Sequence, residues 1–370
     1  MNSRDSFDVV IAGAGPAGGV IAARLAAGGL RTLLAEAGDF SELRAGEFLA
    51  PHACAQIRVS GLLRDNWEQC HTPVHEFVSA WGSSNRVFRN YILDAHGAAL
   101  ALDRRVFDLQ IANAAVQRGV RLLTRARVRR LRLSSNECRI DIDHCGNLLQ
   151  VRSQLLVVCC GRAGAAIHEL PIKRSRLDQL VVVGLRVQGY SGNACPAVEA
   201  YSRGWVYSIG VGHVLLVYVF TEADSHFPNR IRATAGFVLE ELVECPIATS
   251  RLRAAHTKSA ASVSCFATAA MSSVARPLVG ERWCVGGDYA QAFDPLSSKG
   301  ILSAFEGAEL IAGSILGAAS LDAVDFSRYK RLLDEEYATY LNERARFYGI
   351  EQRWPTPFWL RRNRIPPFSA

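Results

Sequence analysis

Three glycines, spaced as Gly13-Ala14-Gly15-Pro16-Ala17-Gly18, stand between two apolar stretches near the start of the chain. Phe7 to Ala12 before them reads as a strand, and Gly19 to Gly29 after them reads as a helix. A glycine turn in that setting lets the backbone approach a pyrophosphate, whose charge meets free N–H groups at the helix N-terminus. A second strand-like run, Arg31 to Ala35, ends at Glu36, eighteen residues beyond Gly18. A carboxylate there accepts hydrogen bonds from ribose hydroxyls and disfavours a 2′-phosphate, which leaves NAD and FAD as candidate ligands.

The rest of the sequence separates these two. No second glycine fingerprint flanked by strand and helix follows, so the pattern predicts one tightly held dinucleotide and no separate nicotinamide domain. Far downstream, Trp283 to Asp288 (WCVGGD) ends an apolar strand, and Phe293 to Ile301 (FDPLSSKGI) opens a long helix. The exposed N–H groups of such a helix start stabilise negative charge on the pyrimidine end of a reduced flavin. The Asp288 carboxylate is placed to hold a ribityl hydroxyl.

With these residues in hand, the sequence resembles the FAD-dependent monooxygenases and halogenases built on the glutathione-reductase-type FAD fold. The resemblance rests on GAGPAG with Glu36, on Arg104-Arg105-Val106-Phe107-Asp108, on Val157 to Arg162 (VVCCGR) and on Gly287 to Ile301. It implies a cofactor site made of Gly13, Gly15, Pro16, Ala17, Gly18, Glu36, Ala37, Arg44, Arg105, Gly161, Asp288, Pro295, Ser298, Gly300 and Ile301. Within that group, Gly46 to Pro51 (GEFLAP), Ser79 to Ser83 (SAWGS) and FDPLSSKG are similar to the flavoproteins that mature tryptophylquinone cofactors of bacterial amine oxidases and dehydrogenases. This implies hydroxylation of a Trp side chain in a partner protein, with O2 as co-substrate.

Two departures matter. Halogenases of this kind carry a substrate-side Lys and a Trp-x-Trp-x-Ile-Pro segment. Here no Lys precedes Lys173, and the matching stretch reads Trp205-Val206-Tyr207-Ser208-Ile209-Gly210. Single-component hydroxylases show an Asp-Gly pair where this chain has Cys159-Cys160-Gly161-Arg162. Electrons are therefore expected from NAD(P)H or from a separate flavin reductase. Alternatives are a hydroxylase or dehydrogenase of a small aromatic or natural-product intermediate, and, from another class, a chaperone-like flavoprotein with structural FAD.

The cofactor carries the oxidation chemistry, so an obvious acid or base need not exist, and the sequence singles out no catalytic residue. Trp81, Trp205 and Tyr207 are candidate pocket walls. No metal constellation appears: His71 and His75 lack a third ligand and read as loop surface residues. Ten cysteines without a C-x-x-C pair read as buried reduced thiols.

The elements that must position these residues form an α/β fold: a Rossmann-like FAD-binding domain, a β-sheet substrate domain and C-terminal helices. The FAD-binding domain is expected to be discontinuous, from residues 1–45, 98–165 and 275–320. The substrate domain takes 46–97 and 166–274, and 321–370 forms a helical segment and tail. Asn66 to Leu93 and Leu180 to Thr221 have the turn-punctuated strand pattern of a sheet roofing the flavin. The tail, with Trp354, Phe358, Trp359 and several Arg, suits either a partner protein or its own domain. At 370 residues, 49% hydrophobic and 21% charged, the chain is globular. The charge of +7 comes from dispersed Arg, and the run from Arg125 to Arg132 reads as the solvated face of a strand, so neither nucleic acid nor membrane is expected as a partner. The polar start of the chain predicts a cytoplasmic protein.

Overall fold

The computed structural model describes residues 6–42, 44–162, 164, 167, 169–223, 242–256 and 263–363. Two large sheets organise them. At the centre of the first, Ser6–Ala12 runs parallel to Thr32–Ala35 on one side and to Asn147–Val158 on the other. Arg121–Leu123 and Trp283–Val285 extend the parallel set outward. Val9, Val10, Ile11, Leu33 and Leu156 are fully buried, as expected of parallel strands covered on both faces. The helix Pro16–Ala27 packs on this sheet between Arg104–Gln117 and Gly300–Leu316. Pro16 supplies the first-turn φ angle, and Gly28 ends the helix.

An antiparallel hairpin, Ala126–Leu133 with Cys138–His144, is added to the long strand Asn147–Val158. Arg127, Arg129, Arg130 and Arg132 are exposed on it, as the alternation suggested. The consecutive arginines 129 and 130 have a cause: the register shifts between Asp141 and Ile142, so Arg129 is the extra residue of a bulge.

The second sheet has seven strands in the order Val263–Ala269, Leu180–Gln188, Val214–Glu222, Gly204–Val211, Ala197–Tyr201, Glu76–Ala80 and Val87–Asn90. Neighbours are antiparallel except Ala197–Tyr201 with Glu76–Ala80. One face, with Val183, Leu185, Val217 and Val219, packs under the helix Pro246–His256. That helix starts on a buried carboxylate, since Glu199 accepts from the Ile247 and Ala248 N–H groups at 2.8 and 2.7 Å. The opposite face carries Trp205, Tyr207, Tyr218 and Phe220, and shares one apolar cluster with Phe48, Ala101 and Leu296.

Two C-terminal helices, Ser327–Ile350 and Pro357–Asn363, join the two sheets. The Tyr348 hydroxyl accepts from Trp205 Nε1 at 3.1 Å and donates to Asp294 Oδ2 at 2.8 Å, with all three side chains buried. Arg344 pairs with Asp178 at 2.9 Å and lies 3.5 Å from Asp294. Trp359 donates to the Tyr201 carbonyl at 2.8 Å, while Arg362 pairs with Glu222 and lies 3.8 Å from the Phe358 ring centre. Of the two readings of the aromatic tail, self-packing therefore describes residues 354–363.

Two expectations are corrected. His71 is buried, its ring against Trp67 and Phe107 and its Nε2 3.2 Å from Gln110 Oε1; only His75 is exposed. The cysteines are unpaired, but Cys70, Cys145 and Cys265 are exposed rather than buried. No helix among the described residues is long and apolar enough to cross a membrane.

Candidate cofactor and substrate site

Four parallel strands end along one edge of the first sheet and deliver Gly13, Glu36, Cys159 and Gly286 side by side, where ligands of open α/β sheets bind. Gly13 has φ +100°, and a Cβ there would lie 2.3 Å from the Cys159 carbonyl oxygen. A Cβ on Gly18 would lie 1.9 Å from the Gly13 oxygen. These two glycines let the turn pack on itself. Gly15 differs, because a Cβ there meets only Arg44 Nη1, at 3.9 Å. The space beside Gly15 is thus open, as a pyrophosphate cradle would require. The first-turn N–H groups of Pro16–Ala27 lack a side-chain cap.

Glu36 is buried beside this cradle. Its Oε2 accepts from the Ala14 N–H at 2.7 Å, and its Oε1 accepts from the Gly38 N–H at 3.0 Å and from Arg44 Nη2 at 2.7 Å. Arg44 also reaches Asp108, 3.6 Å away, so one guanidinium bridges the Glu36 and Asp108 carboxylates. Ala37 is exposed next to Glu36. Arg105 sits at the start of Arg104–Gln117, where it pairs with Asp103 at 2.6 Å and is exposed. Its neighbour Arg104 is the buried one, held by Asp108 at 3.0 Å and by the Ala45 carbonyl at 2.6 Å. The i, i+4 spacing of Arg104 and Asp108 is the signal by which this pair could have been found.

On the far side, a Cβ on Gly287 would sit 2.8 Å from the Ala17 Cβ, which brings the Gly287–Asp288 turn against the first helix. Asp288 is half-buried and lies 3.5 Å from Arg162 Nη2. Arg162 also donates to the Ala270, Met271 and Phe293 carbonyls, tying the strand end near Gly161 to the following loops. Gly161 has φ +70° and open space around it. Pro295 begins a short 3-10 turn, Ser298 adopts φ 51°, and the helix Gly300–Leu316 starts without a side-chain cap. Its free N–H groups at Gly300 and Ile301 offer the positive helix end expected for a flavin ring. Burial pushes the Cys160 thiol up to about 11, which removes thiolate chemistry from this edge.

The roof sheet closes the other side. Trp81, Trp205 and Tyr207 all join its inward-facing cluster. Trp205 is fully buried, stacked on Phe220 at 3.7 Å and tied to Tyr348, so it is core. Trp81 donates to the Phe347 carbonyl at 2.8 Å and packs edge-on to Trp359. Tyr207 is partly accessible, as are Phe48, Phe77, Phe266 and Leu296. Gly184 makes room for this surface: the Phe266 ring lies where its Cβ would be, 2.2 Å away, and meets Tyr218 edge-on.

Sequence reasoning assigned no role to Glu47. It is buried at the start of the strand Phe48–Leu49, and accepts hydrogen bonds from the Tyr218 hydroxyl and, at 3.1 Å, from the Gly46 N–H. Burial, against these hydrogen bonds and the Arg104 charge, holds its carboxyl above the usual range. No cluster of metal-ligating side chains occurs among the described residues.

No protein-family profile matches the sequence. A protein carrying the name of an FAD-dependent oxidoreductase, LodB of Marinomonas mediterranea, is 29% identical over 373 residues, covering 99% of this chain and 98% of its own. The chain is an FAD-dependent oxidoreductase with a halogenase-like fold. Among solved structures, the myxobacterial chondrochloren halogenase CndH superposes with a TM-score of 0.81 at 20% identity, covering 97% of this chain and 86% of the halogenase. The peptidyl tryptophan dihydroxylase QhpG, described as essential for tryptophylquinone cofactor biogenesis, superposes with a TM-score of 0.76 at 25% identity over 99% of this chain and 80% of its own. Gly13 and Glu36 lie side by side on the sheet edge, whereas Arg105 is turned to Asp103.

Proposed function

We propose that this oxidoreductase is a monooxygenase that hydroxylates the ring of a Trp side chain in a partner protein. The observation that carries this reading is the partly accessible aromatic cluster on the roof sheet, Tyr207, Phe77 and Phe266, with Phe48 packed beside them. The near full-length likeness to a peptidyl tryptophan dihydroxylase supports it.

Bound and reduced FAD supplies the two electrons with which O2 is divided between product and water. The chain's residues bind and orient. The turn around Gly15 and the Arg44 guanidinium hold the diphosphate, and Glu36 holds the ribose. Asp288 takes the ribityl chain, and the start of Gly300–Leu316 faces the flavin ring. The roof and the Trp205–Tyr348–Asp294 joint keep water from the reacting centre. We favour a separate reductase as electron donor, because Cys159-Cys160 replaces the Asp-Gly pair of single-component hydroxylases.

The test is to combine the FAD-loaded enzyme, a flavin reductase with NAD(P)H, heavy-isotope O2 and the unprocessed Trp-bearing subunit encoded nearest to it. The expected result is a gain of labelled oxygen on one Trp, located by peptide mass spectrometry. Labelled oxygen on a small free aromatic and none on the subunit would favour the small-molecule alternative.

A further inference from the structure

The inward face of the roof sheet holds a polar group that the fold does not use. The Tyr207 hydroxyl oxygen is shielded from solvent and has no hydrogen-bond partner among the described residues, while the residue as a whole is partly accessible. A buried hydroxyl without a partner carries an uncompensated desolvation cost. Its surroundings are specific. Tyr207 and Tyr218 are a cross-strand pair with nearly parallel rings, 6.1 Å apart and 9° from coplanar. Tyr218 donates its proton to Glu47, whose second oxygen is held by the Gly46 N–H. Glu47 therefore receives two donors, the arrangement that satisfies a carboxylate.

We infer that Tyr207 is the substrate-recognition residue of this site: its hydroxyl, beside the Glu47–Tyr218 pair, accepts a hydrogen bond from the ring N–H of an aromatic substrate. The inference deepens the proposed function and rests on it for the choice of an indole. The charged and titratable groups facing the cluster are Tyr207 and Tyr218 from the sheet, Arg186 from the neighbouring strand, Glu47 from the strand start, Arg104 from the helix Arg104–Gln117, Arg251 from the helix Pro246–His256, and Tyr91 and Cys195. Burial and the Glu47 charge both hold the Tyr207 phenol well above its ordinary value, so it stays protonated and neutral. A neutral phenol can accept from an N–H as well as donate its own proton, and the Glu47 carboxyl nearby disfavours an anionic ligand.

The contact also serves the reaction. In the overall change the substrate C–H becomes C–OH, the second oxygen atom of O2 leaves as water, and reduced FAD provides two electrons and two protons. As the ring carbon bonds to oxygen, positive charge builds on the ring nitrogen. The Tyr207 oxygen and the Glu47 carboxylate face that charge from a dry, fixed position.

The experiment uses FAD-loaded enzyme, with indole and 1-methylindole as binding probes followed through the flavin absorption spectrum. Thermal unfolding is recorded in parallel without probe. Wild-type enzyme is expected to prefer indole by roughly 5- to 10-fold, the worth of one net hydrogen bond. Tyr207→Phe should erase that preference while leaving the unfolding temperature equal or higher, because it deletes an unpaired hydroxyl. Glu47→Gln should weaken the preference and leave 1-methylindole binding unchanged. An undiminished preference in Tyr207→Phe, no preference in the wild type, or a Tyr207→Phe variant that unfolds earlier would each overturn the inference. Trp oxygenation without any N–H preference would remove this contact and leave the function standing, whereas N–H preference without Trp oxygenation would do the reverse.

Discussion

Gly15→Ala separates a glycine kept for the fold from one kept for the ligand. Gly15 has φ −71° and ψ −174°, values alanine adopts without strain, and its missing Cβ would meet nothing nearer than Arg44 Nη1 at 3.9 Å. The variant should therefore fold about as well as wild type, because the gain of about 0.4–1 kcal/mol from the reduced freedom of the unfolded chain is offset by alanine's weaker preference at a helix N-cap. The added methyl group fills the space that a diphosphate needs against the turn. Displacing the ligand from one or two charge-assisted N–H contacts costs about 3 kcal/mol, or roughly a 150-fold loss of FAD affinity. The assay is two measurements on stripped protein: thermal unfolding without cofactor, and FAD titration by fluorescence quenching. Gly18→Ala is the contrast, because its Cβ would sit 1.9 Å from the Gly13 backbone oxygen and should lower apo stability as well. Wild-type FAD affinity in Gly15→Ala, or apo destabilisation equal to that of Gly18→Ala, would refute the reasoning.

Glu36→Arg removes three hydrogen bonds and sets a cation beside Arg44, so the protein should purify without yellow colour, as read from its visible spectrum. Arg362→Ala leaves the Glu222 carboxylate buried without its closest partner, and urea unfolding should report a loss of about 3–5 kcal/mol. His71 should shape the acid side of the stability curve. Burial lowers its folded-state pKa, so its contribution is complete above about pH 6.5 and is lost as pH falls through the lowered value. Unfolding temperatures of His71→Phe measured down to pH 4.5 should accordingly fall less steeply than those of wild type. A parallel decline would assign the acid sensitivity elsewhere.

The cofactor edge was legible because its requirements are local in sequence. A strand that must turn tightly into a helix needs glycine at 13 and 18, and the acceptor for a ribose must end the next strand, at Glu36. The roof was legible as apolar strands separated by turn residues. Other features were not, because they join residues that the sequence does not bring together. Tyr218 meets Glu47 across 171 positions, and Tyr348 meets Asp294 across 54. A consecutive pair such as Arg104 and Arg105 cannot be ranked by type alone: helix geometry turned the first inward to Asp108 and left the second on its own cap residue. His71 looked like a loop residue because the rings that bury it, Trp67 and Phe107, are recognised only once the chain has folded.

The Trp205–Tyr348–Asp294 joint has a consequence for how the molecule is made. Trp205 belongs to the roof and Asp294 to the loop before the flavin-facing helix, but Tyr348 comes from the last tenth of the chain. During synthesis the two halves exist before the residue that fastens them. The contact that ties the roof to the loop before Gly300–Leu316 is therefore the last of the three to be made, so a chain shortened before Tyr348 has both sheets but not their joint.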